Sequence, residues 1–495
     1  MDQMNESLLT GQELKEAVHG IIVGLAENLK NFGFTSVATD SRQVKPGSLF
    51  VPLIGEFQDG HKYIPQAIEQ GASVIFVTKS VYDSDNRKYM ALASENPDVT
   101  FVVVNNNLHA LQDAARVYVS KFPKLVKVAV TGSSGKTTTK EIMASILRQQ
   151  YNLIATEGNL NSETGLPLSV FNIRDEHEAG LFEMGMNRKD EIGEIAKVFK
   201  PENAIITNIG TAHIGLLGSR ENIAEEKKKI FKYIDKNGFA VIHQKDDFAE
   251  FLSKDVAGKV IYFGTDIPES ESGVKFIEDL GMNGTKLSID GIEAVLKIPG
   301  SYNYLNALSC IAMAKALGIS SQKIADGINQ LKAPEGRSSV KSVVTKKDSS
   351  GTLKKITVLE DCYNANPDSM ESALEMCAGL KVDGRKIFIL GDMFELGTEA
   401  VKAHTKIGAA AVVAQPDMLI FAGRDMKNAA NAAKLGGCRN LSYYSELNDD
   451  NLTKLCKELL DYLKDGDFIF VKASHGMHLE KILSEIIQET EENKE

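Results

Sequence analysis

Cysteine is scarce in this chain, and its placement excludes two common uses of the residue. The 495 residues contain five cysteines, an odd number, with no C-x-x-C pair and no zinc-binding spacing. Neither a disulfide framework nor a zinc site is therefore expected. We predict reduced thiols and a cytoplasmic protein.

Long apolar runs and a surplus of positive charge are also lacking. A membrane-spanning helix takes roughly 18 consecutive apolar residues, and the polar N-terminus lacks the apolar centre of a signal peptide. We therefore expect no membrane span. The net charge of −11 argues against nucleic acid as a partner, because proteins that bind it usually present a basic surface. Anionic small molecules are still possible partners, because a local cluster of Lys and Arg can outweigh the mean negative charge of the protein.

The chain does contain enough apolar sequence for sizeable cores, with 43% hydrophobic and 25% charged residues. Alternating strand and helix patterns predict an α/β fold, and the length allows about three domains. We predict a small N-terminal α/β domain over residues 1–122. A central ATPase of the P-loop type follows over 123–332, with a mainly parallel sheet and an antiparallel insertion over 265–300. Residues 333–495 are predicted to form a Rossmann-like, doubly wound domain, although the G-x-G-x-x-G fingerprint is missing.

The most informative stretch reads strand, turn, helix, and begins at Val126. The β-branched run VKVAV leads into the turn TGSSG, then Lys136, Thr137 and an apolar-periodic run typical of a helix. Backbone N–H groups in such a loop point at an anion. Lys136 would reach the outer phosphates of a nucleotide, and the hydroxyl of Thr137 would face Mg²⁺.

This phosphate loop is a shortened form of the usual pattern. A further glycine is expected five residues before Gly135, where this chain has Val130. An ordinary Gly/Ser turn ahead of a helix is the alternative interpretation. The order strand, G-K-T, helix favours phosphate binding, because that chemistry requires it.

Polar residues near other strand ends of the central domain extend the candidate site. Ligands bind beyond the carboxyl ends of strands in parallel sheets. Glu183 lies in one predicted strand and His213 follows another, so both fall at or near strand ends. Glu183 is either a metal ligand or a solvated rim residue. His213 is either a ligand or a hydrogen-bonded buried histidine. Lys227 lies in a run of three lysines, which ordinarily forms a solvated helix face.

The C-terminal third has three polar clusters at strand ends, at residues 361–369, 391–397 and 472–477. Asn and Asp in the first cluster also suit a turn and a helix cap. Three clusters on one sheet nevertheless predict a single binding edge. In the N-terminal domain, Ser41 and Arg42 could hold phosphate, but a polar turn with a capping serine is the slightly favoured alternative.

Together these motifs resemble the Mur ligase family over most of the chain. The segments that carry the resemblance are DSRQVKPGSLFVPLIGEFQDGH, VTGSSGKTTTKE, TEGNLNSETGLP, EMGMNRKDEI, ITNIGTAHIGLLGSRENIAEEK, DCYNANPDSM, GDMFELG and VKASHGMHLEKI. The sixth and seventh are specific to the branch that joins D-alanyl-D-alanine to a UDP-N-acetylmuramoyl-tripeptide. The resemblance implies these two substrates, with ATP and Mg²⁺, and a monomer is expected.

The resemblance also implies roles for individual residues. The residues expected to bind ATP are Gly132, Ser133, Ser134, Gly135, Lys136, Thr137, Thr138, Asn303, Asn306, Arg337, Tyr363, Asn364 and Asn366, the two asparagines Asn303 and Asn306 lying near the adenine. The residues expected to bind the UDP-sugar substrate are Thr39, Ser41, Arg42, Gly60, His61, Asn159 and Asn161. The residues expected to act in catalysis are Lys136, Glu183, His213 and Lys227.

A metal site is implied as well. Thr137, Glu183 and His213 would hold Mg²⁺ together with Lys227, which resembles the family lysine that carries a carbamate made from CO₂. A carbamate binds a metal where an ammonium cannot. Two positions depart from the family: Tyr302 stands where histidine is usual, and His475 where arginine is usual. A neutral histidine does not reproduce a bidentate arginine contact.

The hypothesis is an ATP-dependent amide ligase. In it the tripeptide carboxylate attacks the γ-phosphorus, and the resulting acyl phosphate is attacked by the amine of D-alanyl-D-alanine. A sister ligase adding the third amino acid to UDP-N-acetylmuramoyl-dipeptide is the nearest alternative. A nucleotide-binding regulator without catalysis would not need Glu183, His213 and Lys227 together, and a scaffold would not need polar strand ends.

Overall fold

The structure is a computed structural model that describes residues 7–23, 32–332 and 336–488. The predicted boundary between residues 332 and 333 adjoins positions outside these ranges, and the three domain ranges stay predictions. Contacts divide the chain into two compact units. The first comprises residues 1–129, 151–204 and 229–238, and the second comprises 130–150, 205–228 and 239–495.

The N-terminal region alternates short strands and helices, as its sequence predicted. Its elements are β1 (Leu9–Thr10), α1 (Gly11–Val18), β2 (Ile21–Val23), β3 (Gly33–Phe34), β4 (Ser36–Ala38), β5 (Ser48–Phe50), α2 (Ile64–Glu69), β6 (Val74–Thr78), α3 (Lys79–Ser84), α4 (Asn86–Glu95), β7 (Thr100–Val104) and α5 (Asn107–Val119). Strands β4 to β7 are parallel neighbours, while β2 pairs antiparallel with β7. The sheet order is β2-β7-β6-β5-β4.

The central region follows the predicted strand–loop–helix and continues the alternation. Its elements are β8 (Val126–Thr131), α6 (Lys136–Leu147), β9 (Leu153–Ala155), α7 (Gly165–Val170), β10 (Ala179–Glu183), α8 (Glu191–Phe199), β11 (Asn203–Ile206), α9 (Ile214–Leu217), α10 (Arg220–Lys228), β12 (Phe239–His243), α11 (Ala249–Ser253), β13 (Lys259–Phe263), α12 (Glu269–Ser272), β14 (Val274–Asp279), β15 (Thr285–Ile289), β16 (Ile292–Leu296), α13 (Ser301–Ala316) and α14 (Ser321–Gln330). The main sheet has the order β13-β12-β11-β8-β10-β9. Strands β14, β15 and β16 pair antiparallel, which confirms the predicted insertion.

The C-terminal region is a second parallel sheet with one antiparallel edge strand. Its elements are β17 (Ser339–Val344), β18 (Lys355–Asp361), α15 (Pro367–Gly379), β19 (Lys386–Gly391), α16 (Ala400–Val413), β20 (Met418–Ala422), α17 (Met426–Leu435), β21 (Leu441–Tyr444), α18 (Asp449–Tyr462), β22 (Phe468–Lys472) and α19 (Glu480–Ile486). The order is β17-β18-β22-β19-β20-β21, and β17 was not foreseen.

The core of this C-terminal sheet shows why it is covered on both faces. Successive side chains of a strand point to opposite faces. Phe388 and Leu390 accordingly join a core cluster with α15, α16 and α17, while Ile387 and Ile389 join another with α18 and α19. Near-continuous apolar strands are typical of parallel sheets buried between helices. The fold class is thus α/β as predicted.

The described residues include no helix that is both long enough and apolar enough to cross a bilayer.

Candidate active site

The phosphate loop has the backbone geometry that anion binding needs. Gly135 adopts a left-handed conformation with φ of 77°, and α6 begins at the next residue. A Cβ atom on Gly135 would lie 2.6 Å from Oδ1 of Asn306, and one on Gly132 would lie 1.8 Å from Oγ1 of Thr207. Only glycine fits either position. The first N–H groups of α6 therefore follow a loop with no side chain at positions 132 and 135, which suits a phosphate.

A second loop, which follows β11, holds the phosphate loop in place. The amides of Ser133 and Ser134 donate to the backbone and side-chain oxygens of Asn208 at 3.0 and 2.9 Å. Thr207 Oγ1 donates to the carbonyl of Ser134 at 2.6 Å, and the amide of Gly210 donates to Ser133 Oγ at 2.9 Å. The sequence patterns predicted no role for Thr207 or Asn208. A single sequence does not show which loop of a neighbouring strand contacts the phosphate loop.

The basic and hydroxyl side chains expected at the phosphates lie in the first turn of α6. Nζ of Lys136 donates to the carbonyl of Gly132 at 3.0 Å, which folds the side chain back over the loop. Thr137 and Thr138 are buried in the same turn. The structure thus brings the loop residues of the predicted ATP set together.

Two of the predicted nucleotide residues lie beside this loop on α13. Asn306 contacts Gly135 as described above, and its Nδ2 donates to Oδ1 of Asn303 at 3.3 Å. Asn303 in turn donates to the carbonyl of Pro299 at 2.7 Å. Both asparagines are buried. Their placement next to the phosphate loop is clear, while their contact with adenine stays a prediction.

The start of α15 contacts both loops. Asn366 caps this helix by accepting from the amide of Ser369 at 2.9 Å, and its Nδ2 donates to Ser134 Oγ at 3.0 Å. Asp368 Oδ2 accepts from the amide and the hydroxyl of Thr211 at 2.7 and 2.9 Å. Residues 361–370 are therefore part of the candidate site. Asn366 also caps α15, so the helix cap considered as an alternative is present together with these contacts. Asp368 is a contact that the sequence did not single out.

We expect Asn366→Ala to weaken both folding and nucleotide binding. Loss of the cap costs about 1 kcal/mol of unfolding free energy. Loss of the hydrogen bond to Ser134, worth about 1 kcal/mol, should raise the KM for ATP about fivefold. Urea unfolding and initial rates measure the two effects. Asn448→Ala is the matched control, because Asn448 caps α18 through the amide of Asn451 at 2.9 Å. Equal ATP KM values in the two variants would contradict the assignment.

The polar strand ends of the C-terminal sheet meet at one edge, as predicted, and the role of this edge in binding stays a prediction. At the ends of β18 and β22, Nζ of Lys472 lies 2.5 Å from Asp361 and donates to the carbonyl of Asn364 at 3.0 Å. After β19, the amide of Phe394 donates to Ser474 Oγ at 2.9 Å. Carboxyl ends of three parallel strands thus meet at one edge, as their topology requires.

Aromatic and basic groups stack near this edge. The guanidinium of Arg337 lies 3.9 Å from the ring centre of Tyr363, and the ring of His475 lies 5.2 Å from it on a tilted plane. The hydroxyl of Tyr302 lies 3.0 Å from Ser338 Oγ. Burial, with the negative charge of Asp361, raises the pKa of Tyr302, so its hydroxyl acts only as a neutral hydrogen-bonding group. Tyr302 and His475, the two positions that depart from the family pattern, thus lie close to the predicted nucleotide residues.

His213 lies beyond β11 rather than directly at its end, at the start of α9. Its backbone is left-handed, with φ of 65°, and its Nδ1 lies 2.6 Å from Oε2 of Glu395. Burial lowers the pKa of His213; Lys136 and Lys227 lower it further, against the opposing effect of Glu395. The imidazole is therefore favoured in its neutral form, and it senses the charges of both lysines.

The three consecutive lysines have three different environments. Lys227 is fully buried on α10 with Ile223 and Ala224, whereas Nζ of Lys228 donates to the carbonyl of Phe251 at 2.7 Å. Lys229, in the first unit, pairs with Asp190 at 2.5 Å. A solvated lysine face, the ordinary interpretation of such a run, is wrong for Lys227. The signal was present in the sequence, because Ile223 lies one helical turn before Lys227.

In the first unit, Glu183 ends β10 and is buried. Its Oε1 accepts from Nδ2 of Asn161 at 2.6 Å, and its amide donates to Oγ1 of Thr156 at 2.9 Å. A solvated rim position, the alternative for Glu183, is therefore wrong. Asn159 is exposed and accepts through its carbonyl from the amide of Asn161 at 2.7 Å.

The turn after β4 presents an arginine. Asp40, not Ser41, caps this turn by accepting from the amide of Arg42 at 2.9 Å, so the expected serine cap is wrong. Ser41 is buried and donates to Gln66 at 2.8 Å. The guanidinium of Arg42 lies 2.6 Å from Asp40 and lowers the pKa of that carboxyl to about 2. The Arg42 side chain is 81% exposed and can be reached by an anionic ligand. Thr39 comes directly before the capping Asp40.

Gly60 and His61 have structural roles inside the N-terminal region. A Cβ atom on Gly60 would lie 2.7 Å from the carbonyl of Leu53. His61 is buried, with Nδ1 2.6 Å from Asp59 and Nε2 accepting from the amide of Thr78 at 3.0 Å. Both ring nitrogens are thus engaged within the protein, and the substrate contacts of these residues stay predictions.

The metal prediction does not rest on a ready-made carboxylate and histidine cluster. Among the described residues, no group of three or more His, Cys, Asp or Glu side chains is placed to hold a metal ion. The predicted ligands instead include the hydroxyl of Thr137 and a modified Lys227, whose modified form would supply oxygen.

Comparison with protein families gives three matches in chain order. The family model of the Mur ligase family, catalytic domain, matches residues 33–119. That of the Mur ligase middle domain matches 130–314, and that of the Mur ligase, glutamate ligase domain, matches 344–475.

Among curated proteins, the chain is similar to UDP-N-acetylmuramoyl-tripeptide–D-alanyl-D-alanine ligases. The relative from Treponema pallidum is 36% identical, and the match covers 96% of this chain and 98% of the relative. The relative from Bacillus subtilis is 33% identical over 91% of this chain and 93% of its own length.

Two solved structures are similar over nearly the whole chain. MurF from Acinetobacter baumannii is 26% identical with a TM-score of 0.79, and the match covers 96% of this chain and 98% of that one. MurF from Thermotoga maritima, in complex with ADP, is 25% identical with a TM-score of 0.72 and coverage of 91% and 96%.

Proposed function

Because the chain belongs to the Mur ligase family, we propose that it joins D-alanyl-D-alanine to UDP-N-acetylmuramoyl-tripeptide at the expense of ATP. The product is the pentapeptide precursor of peptidoglycan, with ADP and phosphate. The observation that carries this proposal is the contact of Asn366 and Asp368, within the branch-specific segment, with the phosphate loop and its support loop.

ATP is the expected nucleotide at the phosphate loop. The glycine geometry of residues 132–135 and the N-terminus of α6 support it, as does the ADP complex of the Thermotoga relative. Backbone N–H groups at this terminus bind phosphoryl oxygens. Lys136 offsets the negative charge that develops on those oxygens as the γ-phosphoryl group is transferred.

The reaction proceeds in two balanced steps. The terminal carboxylate of the tripeptide attacks the γ-phosphorus, the bond to the β-phosphate oxygen breaks, and ADP leaves. The amine of D-alanyl-D-alanine then attacks the acyl phosphate, loses a proton, and displaces inorganic phosphate. Exclusion of water from the site protects the acyl phosphate from hydrolysis.

Residues of the second unit fit a Mg²⁺ ion by the chemistry of their donors. Mg²⁺ prefers hard oxygen ligands and binds few protein groups besides phosphates and water. Thr137 provides a hydroxyl, and Lys227 would provide carboxylate oxygens once carbamylated, with neutral His213 close by. Bound Mg²⁺ supplies neutralising charge at the phosphoryl oxygens. Glu183 as a further ligand stays a prediction.

The finer assignments are proposals of the same kind. Residues 1–122 are proposed to bind the UDP-sugar, 123–332 the ATP, and 333–495 the nucleotide and the incoming dipeptide. ATP and UDP-linked precursors are cytoplasmic metabolites, so we place the reaction in the cytoplasm. A monomer stays the expected oligomeric state.

A phosphate-release assay tests the proposed function. Purified protein is given ATP and Mg²⁺ with UDP-N-acetylmuramoyl-tripeptide and D-alanyl-D-alanine, singly and together. We expect rapid release only with both substrates, and a pentapeptide product by mass spectrometry. If no phosphate were released with both substrates present, the ligase proposal would be wrong. Release with UDP-N-acetylmuramoyl-dipeptide and a single amino acid would identify the sister enzyme instead.

A further inference from the structure

Two residues at the ends of neighbouring strands form a buried ion pair, and neither is among the residues predicted to bind ligands. Asp361 ends β18 and Lys472 ends β22, and the two are partners in the parallel register. The side chains of Lys472 and Asp361 are only 3% and 13% exposed. We propose that Lys472 and Ser474 are positioning residues that hold the loop of residues 362–366 in the shape that binds a nucleotide. The inference rests on the proposed function only for the identity of that ligand, an adenine nucleotide.

Lys472 holds the main chain of this loop with the same ammonium that pairs with Asp361. Its Nζ lies 2.5 Å from Oδ2 of Asp361 and donates to the carbonyl of Asn364 at 3.0 Å. A buried ion pair adds little net stability compared with an apolar pair, because both charges lose their hydration. Its main effect here is geometric. One ammonium directed at two oxygen atoms allows a single arrangement of the chain between residues 361 and 364.

Ser474 holds the next carbonyl of the loop. Its Oγ donates to the carbonyl of Ala365 at 3.3 Å and accepts from the amide of Phe394 at 2.9 Å. The amide of Ser474 donates to the carbonyl of Asp392 at 3.1 Å, and its side chain is buried. The end of β22 therefore joins the loop after β18 to the loop after β19. These two loops belong to the two segments that carry the branch-specific resemblance.

The remaining main-chain groups of the loop have partners that are local or lie beside it. The amide of Tyr363 donates to the carbonyl of Gly336 at 3.1 Å, and the amide of Ala365 donates to the side chain of Asn364 at 2.9 Å. Buried main-chain groups need such partners. The contacts from β22 differ from these, because they fix the loop relative to the sheet.

The loop held in this way carries side chains predicted to bind the nucleotide. Nδ2 of Asn366 donates to Ser134 Oγ in the phosphate loop at 3.0 Å. The ring centre of Tyr363 lies 3.9 Å from the guanidinium of Arg337. Asn366 and Tyr363 flank the two carbonyls that β22 holds, so release of those carbonyls would displace both side chains.

Calorimetric titration with ADP and Mg²⁺ tests the proposal without any ligase reaction. We expect Lys472→Met to weaken ADP binding about 10–100-fold, the effect of losing a hydrogen bond from a charged group. Ser474→Ala loses only neutral hydrogen bonds, so we expect ADP binding about fivefold weaker than in the native protein. Native ADP affinity in either variant would overturn the proposal.

Lys354→Met is the matched control, because it breaks the same kind of pair at the opposite end of β18. Lys354 is buried, its Nζ lies 2.7 Å from Oδ2 of Asp348, and it donates to the carbonyl of Leu460. We expect Lys354→Met to lower the thermal unfolding temperature and to leave the Kd of ADP unchanged. Equal losses of ADP affinity in Lys354→Met and Lys472→Met would show an effect of stability alone and would overturn the proposal.

The double variant Asp361→Asn with Lys472→Met covers the case in which Lys472→Met does not fold. It leaves no unpaired buried carboxylate, so we expect a folded protein by circular dichroism. It should still bind ADP weakly, because the carbonyl of Asn364 has lost its donor, and native ADP affinity would overturn the proposal. If the native protein and the variants bind ADP as expected but no phosphate is released with both ligase substrates, the ligase function alone would be wrong.

Discussion

Lys136→Ala is expected to lower kcat for pentapeptide synthesis by about 100–1000-fold, the usual effect of removing one group that stabilises developing charge. Lys136 starts α6, and its ammonium already lies over the phosphate loop, 3.0 Å from the carbonyl of Gly132. No other residue of that turn carries a positive charge to the phosphates. Because the UDP-sugar does not contact this loop in the proposed reaction, the KM for the tripeptide substrate should hardly change. Steady-state rates of phosphate release measure both constants.

Two further variants sharpen this result. Lys136→Arg keeps the charge but not the compact ammonium, so it should recover only part of the activity. Lys124→Ala removes an exposed lysine ahead of β8 and should leave kcat unchanged. A kcat for Lys136→Ala within about threefold of the native value, which is less than 1 kcal/mol, would rule out its role at the phosphates.

Lys227→Ala is expected to lower kcat at least about 100-fold and to regain activity with added short carboxylates such as formate or acetate. A metal ion contributes several kcal/mol to such a reaction, and about 3 kcal/mol corresponds to 100-fold in rate. Lys227 is fully buried, so small carboxylates fit the space that the truncated side chain leaves. Rates against carboxylate concentration should show saturable rescue.

The neighbouring lysine is the matched control. Lys228→Ala removes a partly exposed side chain that binds the carbonyl of Phe251, so it should be active and insensitive to added carboxylate. Protein equilibrated with ¹³C-bicarbonate should show one carbamate carbon signal, present in Lys228→Ala and lost in Lys227→Ala. Full activity of Lys227→Ala, or the same carbamate signal without Lys227, would show the assignment to be wrong.

The sequence determined the parts of the site that are local in the chain. The strand, the turn and the helix of residues 126–147 follow from a β-branched run, two required glycines and helical periodicity, all within one short stretch. The alternation of apolar strands and helices determined the α/β class in the same way. Motif resemblance then indicated the family, which the comparisons confirm.

Only the tertiary structure decided which distant residues meet. Three contacts join loops that follow different strands. Glu395 pairs with His213, Asp368 accepts from Thr211, and Asn208 accepts from the phosphate loop. Such contacts depend on strand order, which chain position does not reveal. The sequence did not predict the edge strand β17 for the same reason, because that strand is recognised only by its pairing with β18. Burial distinguishes the three lysines. Lys227 is fully buried, whereas composition treats all three alike.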